Sequence, residues 1–296
     1  MNENLNVSHV SLSGGQAPWV DIKNNNPLAE TIHMSAANGF TVTSYLELLS
    51  FFSQQYSITG MDCRGTWEGH RTPPKNFKMK HFAEDLIQAI EKQHNKPIVG
   101  MGHSQGGFVT LLAAIKRPDL FSKLVLIEPA SLPYRWFGII YPFIPNILLF
   151  KLFPFMMGSL QRQENWSNHQ QFYDRYRCHN TYKRFTETSF NNYMTYGLTP
   201  TDEQQLELHF SPKWEAYIFS IVEFMWKYLS KLTIPTLLIR AQHSNLYTQK
   251  QFNRHEKQLS KCITTHEIAD SFHLLPLEKP LELSQTINKW LSNDSY

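Results

Sequence analysis

Short apolar runs alternate with amphipathic segments along much of the chain. The runs AETIHMSAANGF, YSITGMD, KPIVGMG and SKLVLIEPA end at turn residues, and each predicts a buried strand. Between them, KHFAEDLIQAIEKQ places Phe82, Leu86 and Ile90 four residues apart, and GGFVTLLAAIKRP runs until Pro118. Both segments predict helices. This alternation predicts an α/β fold in which parallel strands are joined by crossover helices on both faces.

The two ends of the chain extend this pattern. Near the N-terminus, NVSHVSLSGGQAPWVDI alternates around a Gly-Gly pair, which predicts two antiparallel strands. Near the C-terminus, IPTLLIRA and CITTHEIA predict strands, each followed by a helical segment. Between Leu132 and about Leu229 the alternation stops, and aromatic and proline-bearing segments replace it. We therefore predict an α/β core of residues 1–130 and 232–296, interrupted by a largely helical insertion of residues 131–231.

Composition and charge narrow the class of partner. The chain has 296 residues, of which 42% are apolar, so it can bury a full core. A net charge of +3 with scattered Lys and Arg argues against nucleic acid and anionic membranes as partners. The cysteines lie far apart without metal-ligand spacing: Cys63, Cys178 and Cys262. We expect a small-molecule partner, no disulfide, no metal and no cofactor, and the composition leaves the oligomeric state open.

One apolar segment raises the question of a membrane span. It runs from Trp136 to Gly158 and is long enough to cross a bilayer. Three prolines and one charge interrupt it, which argues against a span: Pro142, Pro145, Pro154 and Lys151. The N-terminus lacks the basic and apolar regions of a signal peptide, so we expect a cytoplasmic protein. Peripheral membrane contact through this segment stays open.

A serine between glycines is the first candidate for catalysis. The sequence GHSQG, from Gly102 to Gly106, fits the pattern G-x-S-x-G and lies between a predicted strand and a predicted helix. A sharp strand-to-helix turn exposes its serine and leaves little room for flanking side chains. The start of the helix also favours an oxyanion. The sequence predicts Ser104 as a nucleophile, and a tight turn with an unimportant serine is the alternative.

A nucleophilic serine needs a base, and a sheet of this order places it after the last strand. His273 lies there, in IADSFHLLPLEKP. His243 follows the preceding strand and remains a competitor. His33 and His103 lie in or beside strands, where packed or pocket-lining histidines are common. We predict His273 as the base.

Taken together, these motifs resemble those of the α/β-hydrolase-fold serine hydrolases, the esterases and lipases with a lid. ANGF corresponds to the His-Gly oxyanion turn, MDCRGTWEG to the D-x-R-G-x-G stretch, GHSQGG to the nucleophile elbow and HLLPLEKP to the histidine loop. The match covers nearly all of residues 28–130 and 232–291. It implies structural rather than catalytic roles for Asp62, Arg64 and Gly65.

The resemblance implies a mostly parallel sheet flanked by helices, with a cap inserted after the strand that ends at Glu128. It also implies an oxyanion hole made by the backbone N–H groups of Phe40 and Gln105. Asn38 stands where the family commonly has histidine, which changes what holds the turn. We expect Asn38, His103 and Trp136 to contact the substrate.

The third member of the triad is missing from its usual place. Most members of the family carry an Asp or Glu after the strand that here reads IPTLLIRA, where this chain has Ser244 or Asn245. Without an anion beside the imidazolium, the rate falls on the order of 10⁴-fold. Some branches of the fold use a carboxylate at the end of the preceding core strand, so we predict Glu128 as the acid. Asp270 is an alternative, and so is a triad that has lost its acid.

The insertion informs the substrate class. Its first thirty residues are rich in Trp, Tyr, Phe, Met, Ile and Leu, which must pack on the core or on an apolar ligand. We predict a serine hydrolase that cleaves carboxylic esters or thioesters of apolar acyl or aryl compounds through an acyl-enzyme. The alternatives are hydrolysis of a C–C bond in ring-cleavage products, and a non-catalytic ligand-binding protein on a hydrolase fold.

Overall fold

The computed structural model describes residues 5–140, 144, 148, 154–202, 204–257 and 259–293. Its strands are β1 (Leu5–Leu12), β2 (Gly15–Ile22), β3 (Thr31–Ser35), β4 (Ser57–Met61), β5 (Ile98–His103), β6 (Phe121–Ile127), β7 (Asn165–Trp166), β8 (Leu198–Pro200), β9 (Leu206–Leu208), β10 (Thr236–Ala241) and β11 (Ile263–Ile268). Eight of them form one sheet in the order β1-β2-β4-β3-β5-β6-β10-β11.

The sheet is antiparallel at one edge and parallel elsewhere. β1 pairs antiparallel with β2, and β2 pairs antiparallel with β4. From β4 through β3, β5, β6 and β10 to β11, every pairing is parallel. The predicted N-terminal antiparallel pair and the mostly parallel sheet are confirmed. All the parallel strands therefore end at the same edge of the sheet.

Helices follow most strands. They are α1 (Leu46–Ser50), α2 (Met79–Gln93), α3 (Gln105–Lys116), α4 (Arg135–Ile140), α5 (Pro154–Leu160), α6 (His169–Tyr176), α7 (Glu187–Tyr196), α8 (Pro212–Ser220), α9 (Trp226–Leu229), α10 (Gln249–Glu256), α11 (Leu275–Glu278) and α12 (Pro280–Leu291). A 3-10 turn, Val42–Tyr45, precedes α1.

Two hydrophobic cores lie on opposite faces of the large sheet. Along β6, Leu124 and Leu126 belong to the core that includes α2 and α3, while Val125 and Ile127 belong to the core that includes α1 and α12. Successive side chains of a strand point to opposite faces, so a strand covered on both faces is apolar at every position. This is why the parallel strands appear as continuous apolar runs in the sequence.

The insertion between β6 and β10 contains α4–α9 and a small antiparallel sheet in the order β7-β9-β8. The pattern of apolar and polar residues does not reveal this sheet, because strands of two or three residues are too short for alternation to show. Part of the apolar segment discussed above, with Pro142, Pro145 and Lys151, lies outside the described residues. Among the described helices, none combines the length and apolar character that crossing a membrane requires.

Candidate active site

The predicted site residues meet at the carboxyl ends of the parallel strands. Ser104 directly follows β5, Glu128 directly follows β6, and His273 lies in the loop after β11. The turn Ala37–Phe40 follows β3 at the same edge of the sheet. This edge is where open α/β sheets commonly bind their ligands.

Ser104 occupies a strained turn between β5 and α3. Its φ of 52° lies in the left-handed region, which residues other than glycine rarely adopt. A Cβ on Gly106 would lie 2.2 Å from the carbonyl oxygen of Ser35, and a Cβ on Gly102 would lie 2.6 Å from the carbonyl oxygen of Gly106. The backbone N–H of Ser104 donates to the carbonyl of Ile127 at 3.0 Å, which anchors the turn to β6. The glycines are therefore a steric requirement.

Three side chains form a continuous hydrogen-bonded path. Ser104 Oγ lies 2.9 Å from His273 Nε2, and His273 Nδ1 lies 3.2 Å from Glu128 Oε2. An ionised carboxylate only accepts, so Nδ1 carries the imidazole proton and Nε2 is free to accept from the Ser104 hydroxyl. This tautomer is the one in which His273 can remove a proton from Ser104.

Glu128 is fully buried, with both carboxylate oxygens hydrogen-bonded. Oε1 accepts the backbone N–H of Ala241 at 2.7 Å, and Oε2 accepts the Ser244 hydroxyl at 2.7 Å. Buried carboxylates require such partners, because desolvation without them is costly. Its φ of 45° is also left-handed, and its N–H donates to the carbonyl of Ile239 at 2.8 Å. The strained backbone is thus pinned to β10, the next strand of the sheet.

Ser244 has a role that the sequence analysis missed. It is one of the two positions, with Asn245, where the resemblance implies an acid, and it donates a hydrogen bond to the carboxylate of Glu128. The only signal in the sequence was the unexpected hydroxyl at that position. A hydroxyl suits a neighbour of a buried carboxylate, because it donates without adding a like charge.

The competing acid and base lie together at the surface. Asp270 Oδ1 is 3.9 Å from His243 Nε2, and their side chains are 79% and 49% exposed. The structure therefore pairs Asp270 with His243, while it brings Glu128 to His273.

No group of three His, Cys, Asp or Glu side chains among the described residues is arranged to hold a metal ion.

The predicted oxyanion donors differ in their surroundings. Gln105 is the first residue of α3, so its N–H has no acceptor within the helix. The N–H of Phe40 donates to the carbonyl of Ala37 at 3.2 Å and closes the turn. An oxyanion bound here would share the Phe40 N–H with that carbonyl.

The residues predicted to contact substrate have other partners. Asn38 Nδ2 donates to the backbone carbonyl of Glu215 in α8 at 2.8 Å, so it connects the turn after β3 to the insertion. Trp136 is 58% exposed and stacks on Tyr134 with ring centroids 6.0 Å apart. His103 is fully buried, and protein atoms contact both of its ring nitrogens. These surroundings favour a positioning role for His103 over the predicted substrate contact.

The loop after β4, which carries Asp62, Arg64 and Gly65, packs against the elements next to the candidate site. Asp62 is buried, and its Oδ1 accepts the backbone N–H of Val42 at 2.6 Å. Burial raises the pKa of Asp62 to about 7, and the hydrogen bond from Val42 partly opposes that rise. Arg64 forms a bidentate ion pair with Asp85, at 2.6 and 2.7 Å. A Cβ on Gly65 would lie 2.7 Å from the ring of Phe210. These contacts are structural, in line with the roles that the resemblance implied.

The sequence profile of the alpha/beta hydrolase fold family matches residues 37–280. The matched region contains every residue of the hydrogen-bonded path and the turn after β3. The chain therefore belongs to the α/β-hydrolase fold family.

Individual relatives match over shorter stretches. A Haemophilus influenzae protein named as an esterase/lipase is 32% identical over 87 residues, covering 29% of this chain and 30% of the relative. A Yersinia enterocolitica protein named as a carbamate hydrolase is 27% identical over 104 residues, covering 35% of this chain and 37% of the relative. The chain thus aligns with about a third of the length of these two relatives.

Solved structures match over nearly the whole chain. The crystal structure of E-2-(acetamidomethylene)succinate hydrolase superimposes with a TM-score of 0.75, covering 98% of this chain and 100% of the other. The two sequences are 14% identical. This likeness shows that the fold is shared.

Proposed function

We propose that the protein is a serine hydrolase in which Ser104 is the nucleophile, His273 the general base and Glu128 the triad acid. The observation that carries this proposal is the continuous path from Ser104 Oγ through His273 to Glu128, at 2.9 and 3.2 Å. Three side chains separated widely in sequence meet with the spacing and tautomer that nucleophilic catalysis needs. The family membership and the names of the relatives support the same class of reaction.

The reaction proceeds through an acyl-enzyme. Ser104 Oγ attacks the carbonyl carbon of the substrate while its proton passes to His273 Nε2. The negative charge of Glu128 stabilises the imidazolium and keeps its ring oriented. The N–H groups of Gln105 and Phe40 stabilise the oxyanion. The leaving group takes the proton from His273, and water, activated by the same imidazole, then releases the acid and regenerates Ser104.

The proposed substrates are esters or thioesters with an apolar acyl or aryl group. Support comes from the aromatic side chains around the turn after β3. The ring centroid of Phe40 lies 5.0 Å from that of Tyr193 and 6.1 Å from that of Phe185. Both of these residues belong to the insertion. Aromatic surroundings of this kind favour an apolar group next to the reacting carbonyl.

Carbamates are a second candidate class, because one relative is named as a carbamate hydrolase. Attack by a serine on the carbonyl carbon is common to both substrate classes, so the triad does not distinguish them. A C–C bond hydrolase would use the same triad. A non-catalytic binding protein is disfavoured because the anion absent from the usual position is supplied by Glu128, in contact with His273.

The decisive experiment combines active-site labelling with turnover. The protein is treated with a fluorophosphonate probe, and the labelled residue is identified by mass spectrometry. In parallel, it is assayed on p-nitrophenyl esters of rising chain length, on a p-nitrophenyl carbamate and on a ring-cleavage diketone. We expect labelling at Ser104 and ester hydrolysis that improves with acyl length.

The variant Ser104→Ala is the control, and it should abolish both labelling and turnover. Absence of labelling together with absence of turnover on all three substrates would overturn the proposed function. Turnover of the carbamate or the diketone alone would keep the triad and overturn the substrate class.

A further inference from the structure

A second hydrogen-bonded chain lies beside the proposed triad and ends on the main chain of its base. The backbone N–H of Ala37 donates to the Tyr45 hydroxyl at 3.1 Å. The Tyr45 hydroxyl lies 2.8 Å from His103 Nδ1. His103 Nε2 lies 2.8 Å from the carbonyl oxygen of His273. The chain connects the turn after β3, the residue before the nucleophile and the loop that carries the base.

The donor and acceptor of every link follow from its chemistry. A carbonyl oxygen only accepts, so His103 Nε2 carries the proton that it donates to His273. In a neutral imidazole the other nitrogen then accepts, so Tyr45 donates its hydroxyl proton to His103 Nδ1. The Tyr45 oxygen is left to accept from the N–H of Ala37. All four groups are satisfied by this single arrangement, which fixes the tautomer of His103.

Both side chains stay neutral because of their burial. Tyr45 and His103 are each 0% exposed. Desolvation holds the pKa of His103 well below its usual value and raises the pKa of Tyr45. The ring of His103 lies 5.2 Å from that of His273. A cation there would oppose the imidazolium that His273 forms during catalysis, so a neutral histidine is the form compatible with the reaction.

We propose that Tyr45 and His103 are positioning residues that set the main chain of His273 and the turn carrying Phe40 for the reaction. This inference rests on the proposed function of the same site. The two ends of His273 are held differently: Glu128 orients the ring, and His103 fixes the backbone carbonyl. Three hydrogen bonds thus connect the backbone of His273 to the turn that carries Phe40. A displacement of either segment is therefore transmitted to the other.

The test is the variant Tyr45→Phe, which keeps the ring and removes the hydroxyl. His103 then loses the donor that fixes its tautomer, and the N–H of Ala37 loses its acceptor. We expect kcat to fall about tenfold or more with KM changed less than about twofold, because ground-state contacts to substrate are untouched. The matched control is Tyr217→Phe, which removes a hydroxyl that donates to the carbonyl of Phe77 at 2.9 Å. The control should keep the wild-type kcat.

A spectroscopic signal separates positioning from simple support of the fold. The proton shared by His273 Nδ1 and Glu128 should give a far-downfield resonance in the proton NMR spectrum. In Tyr45→Phe we expect this resonance to shift or broaden, while in Tyr217→Phe it should stay in place. Loss of stability alone would lower the melting temperature without moving the resonance of the folded protein.

A second pair of variants keeps the inference testable if Tyr45→Phe fails to fold. The amide of His103→Gln can donate to the carbonyl of His273 and accept from Tyr45, whereas His103→Leu can do neither. We expect the Gln variant to retain more kcat than the Leu variant.

Equal kcat in the two His103 variants, or wild-type kcat and resonance in Tyr45→Phe, would overturn the inference. Failure of the wild type to react with the fluorophosphonate would overturn the proposed function instead. In that case the downfield proton resonance of His273 would still show whether the hydrogen bonds of Tyr45 and His103 set the position of His273.

Discussion

In the proposed triad, Glu128 supplies the acid that the resemblance places after β10, and Ser244 donates a hydrogen bond to its carboxylate. The strands that precede them, β6 and β10, are parallel neighbours, with Ile127 opposite Ile239. Their ends therefore open into the same space, and a side chain from either can reach the ring of His273. Here the carboxylate comes from β6 and a hydroxyl comes from the loop after β10, joined at 2.7 Å. The geometry explains why the acid can be carried by either strand.

Replacing Glu128 tests its charge separately from its shape. The variant Glu128→Gln keeps the size of the side chain and an oxygen that can accept the N–H of Ala241. It removes the anion beside His273, so we expect kcat for a p-nitrophenyl ester to fall on the order of 10³–10⁴-fold. The control Asp270→Asn should leave kcat unchanged, because Asp270 faces His243 at the surface.

The double variant Glu128→Gln with Ser244→Asp moves the acid to one of the two positions, 244 or 245, where the resemblance implies it. We expect it to recover part of the kcat lost by Glu128→Gln alone, since position 244 adjoins the same carboxylate site. Full activity in Glu128→Gln would refute the assignment of the acid. Loss of activity in Asp270→Asn instead would transfer that role to Asp270.

Asp62 should make stability depend on pH. Its pKa of about 7 in the folded protein exceeds the ordinary 3.8, so between those values the folded protein keeps a proton that the unfolded chain has lost. Stability therefore falls as pH rises through this window, by up to about 4 kcal/mol. Asp62→Asn still accepts from the N–H of Val42 and should remove this component of the loss.

The measurement for Asp62 is the free energy of unfolding in urea, for wild type and Asp62→Asn, at several pH values across the window. Other groups titrate in both proteins, so the difference between the two curves is the relevant quantity. As pH rises through the window, we expect the free energy of unfolding of Asp62→Asn to increase relative to that of the wild type. Parallel curves would show that Asp62 ionises normally in the folded state.

The sequence could predict Ser104, His273 and Glu128 as neighbours but not the side chains that hold them. The proposed triad residues follow strands that a recognisable alternation predicts, so their meeting point could be inferred. Tyr45, by contrast, falls on an apolar face together with core residues, and nothing in the local pattern marks its hydroxyl. Its partners His103 and Ala37 are 58 and 8 positions away. Contacts of this kind depend on the packed structure.

At the level of elements, the strand–turn–helix of β5 and α3 is the least tolerant part of the fold. Gly106 packs against the backbone at the end of β3, and a Cβ there would lie 2.2 and 2.4 Å from the carbonyl oxygens of Ser35 and Ala36. Backbone atoms cannot move aside as a flexible side chain can. The turn and the strand next to it must therefore shift together if the glycine is replaced.

Gly106→Ala should accordingly destabilise the protein by about 1–3 kcal/mol or more and reduce fluorophosphonate labelling. The control is Gly158→Ala in α5, where a Cβ would meet nothing within 4 Å. An alanine there should be neutral or stabilise the helix by about 0.5–1 kcal/mol. The melting temperature and the rate of fluorophosphonate labelling are measured for both variants and compared with those of the wild type. Equal behaviour of the two variants would contradict the steric account.

Helices and strands with a clear repeat of apolar residues could be predicted from the sequence, whereas strands of two or three residues could not. The helix α2 was predicted because Phe82, Leu86 and Ile90 repeat at helical spacing, and all three are buried. The small sheet of β7, β8 and β9 was missed because its strands have two or three residues each. Its position is set by contacts with the rest of the insertion, and local alternation cannot reveal it.

On the scale of the whole molecule, Glu215 connects a buried ion pair of the insertion to the turn after β3 in the candidate active site. Arg162 and Glu215 pair at 2.5 Å with side chains 9% and 13% exposed, and Ser159 donates to the second carboxylate oxygen at 2.8 Å. The carbonyl of Glu215 accepts from Asn38, and a Cβ on Gly39 would lie 3.1 Å from the Glu215 carboxylate. Glu215 thus lies against the turn that carries the proposed oxyanion donor.

Neutralising Glu215 should therefore affect stability and catalysis together. In Glu215→Gln the guanidinium of Arg162 remains buried without its counter-charge, and breaking a buried pair in this way costs about 3–5 kcal/mol. The matched control is Glu164→Gln, which breaks the half-exposed pair of Glu164 with Arg71. Exposed pairs contribute about 0–1 kcal/mol, and Arg71 keeps a second contact with Glu207 at 2.8 Å.

Urea unfolding and the rate of fluorophosphonate labelling, measured on both variants, separate the two effects. We expect Glu215→Gln to lose stability and to label more slowly, because a side chain at position 215 without its ion pair to Arg162 is held less firmly against the turn after β3. Glu164→Gln should match the wild type in both. If Glu215→Gln loses stability but labels at the wild-type rate, the ion pair supports the insertion alone. In that case the turn after β3 holds its position without it.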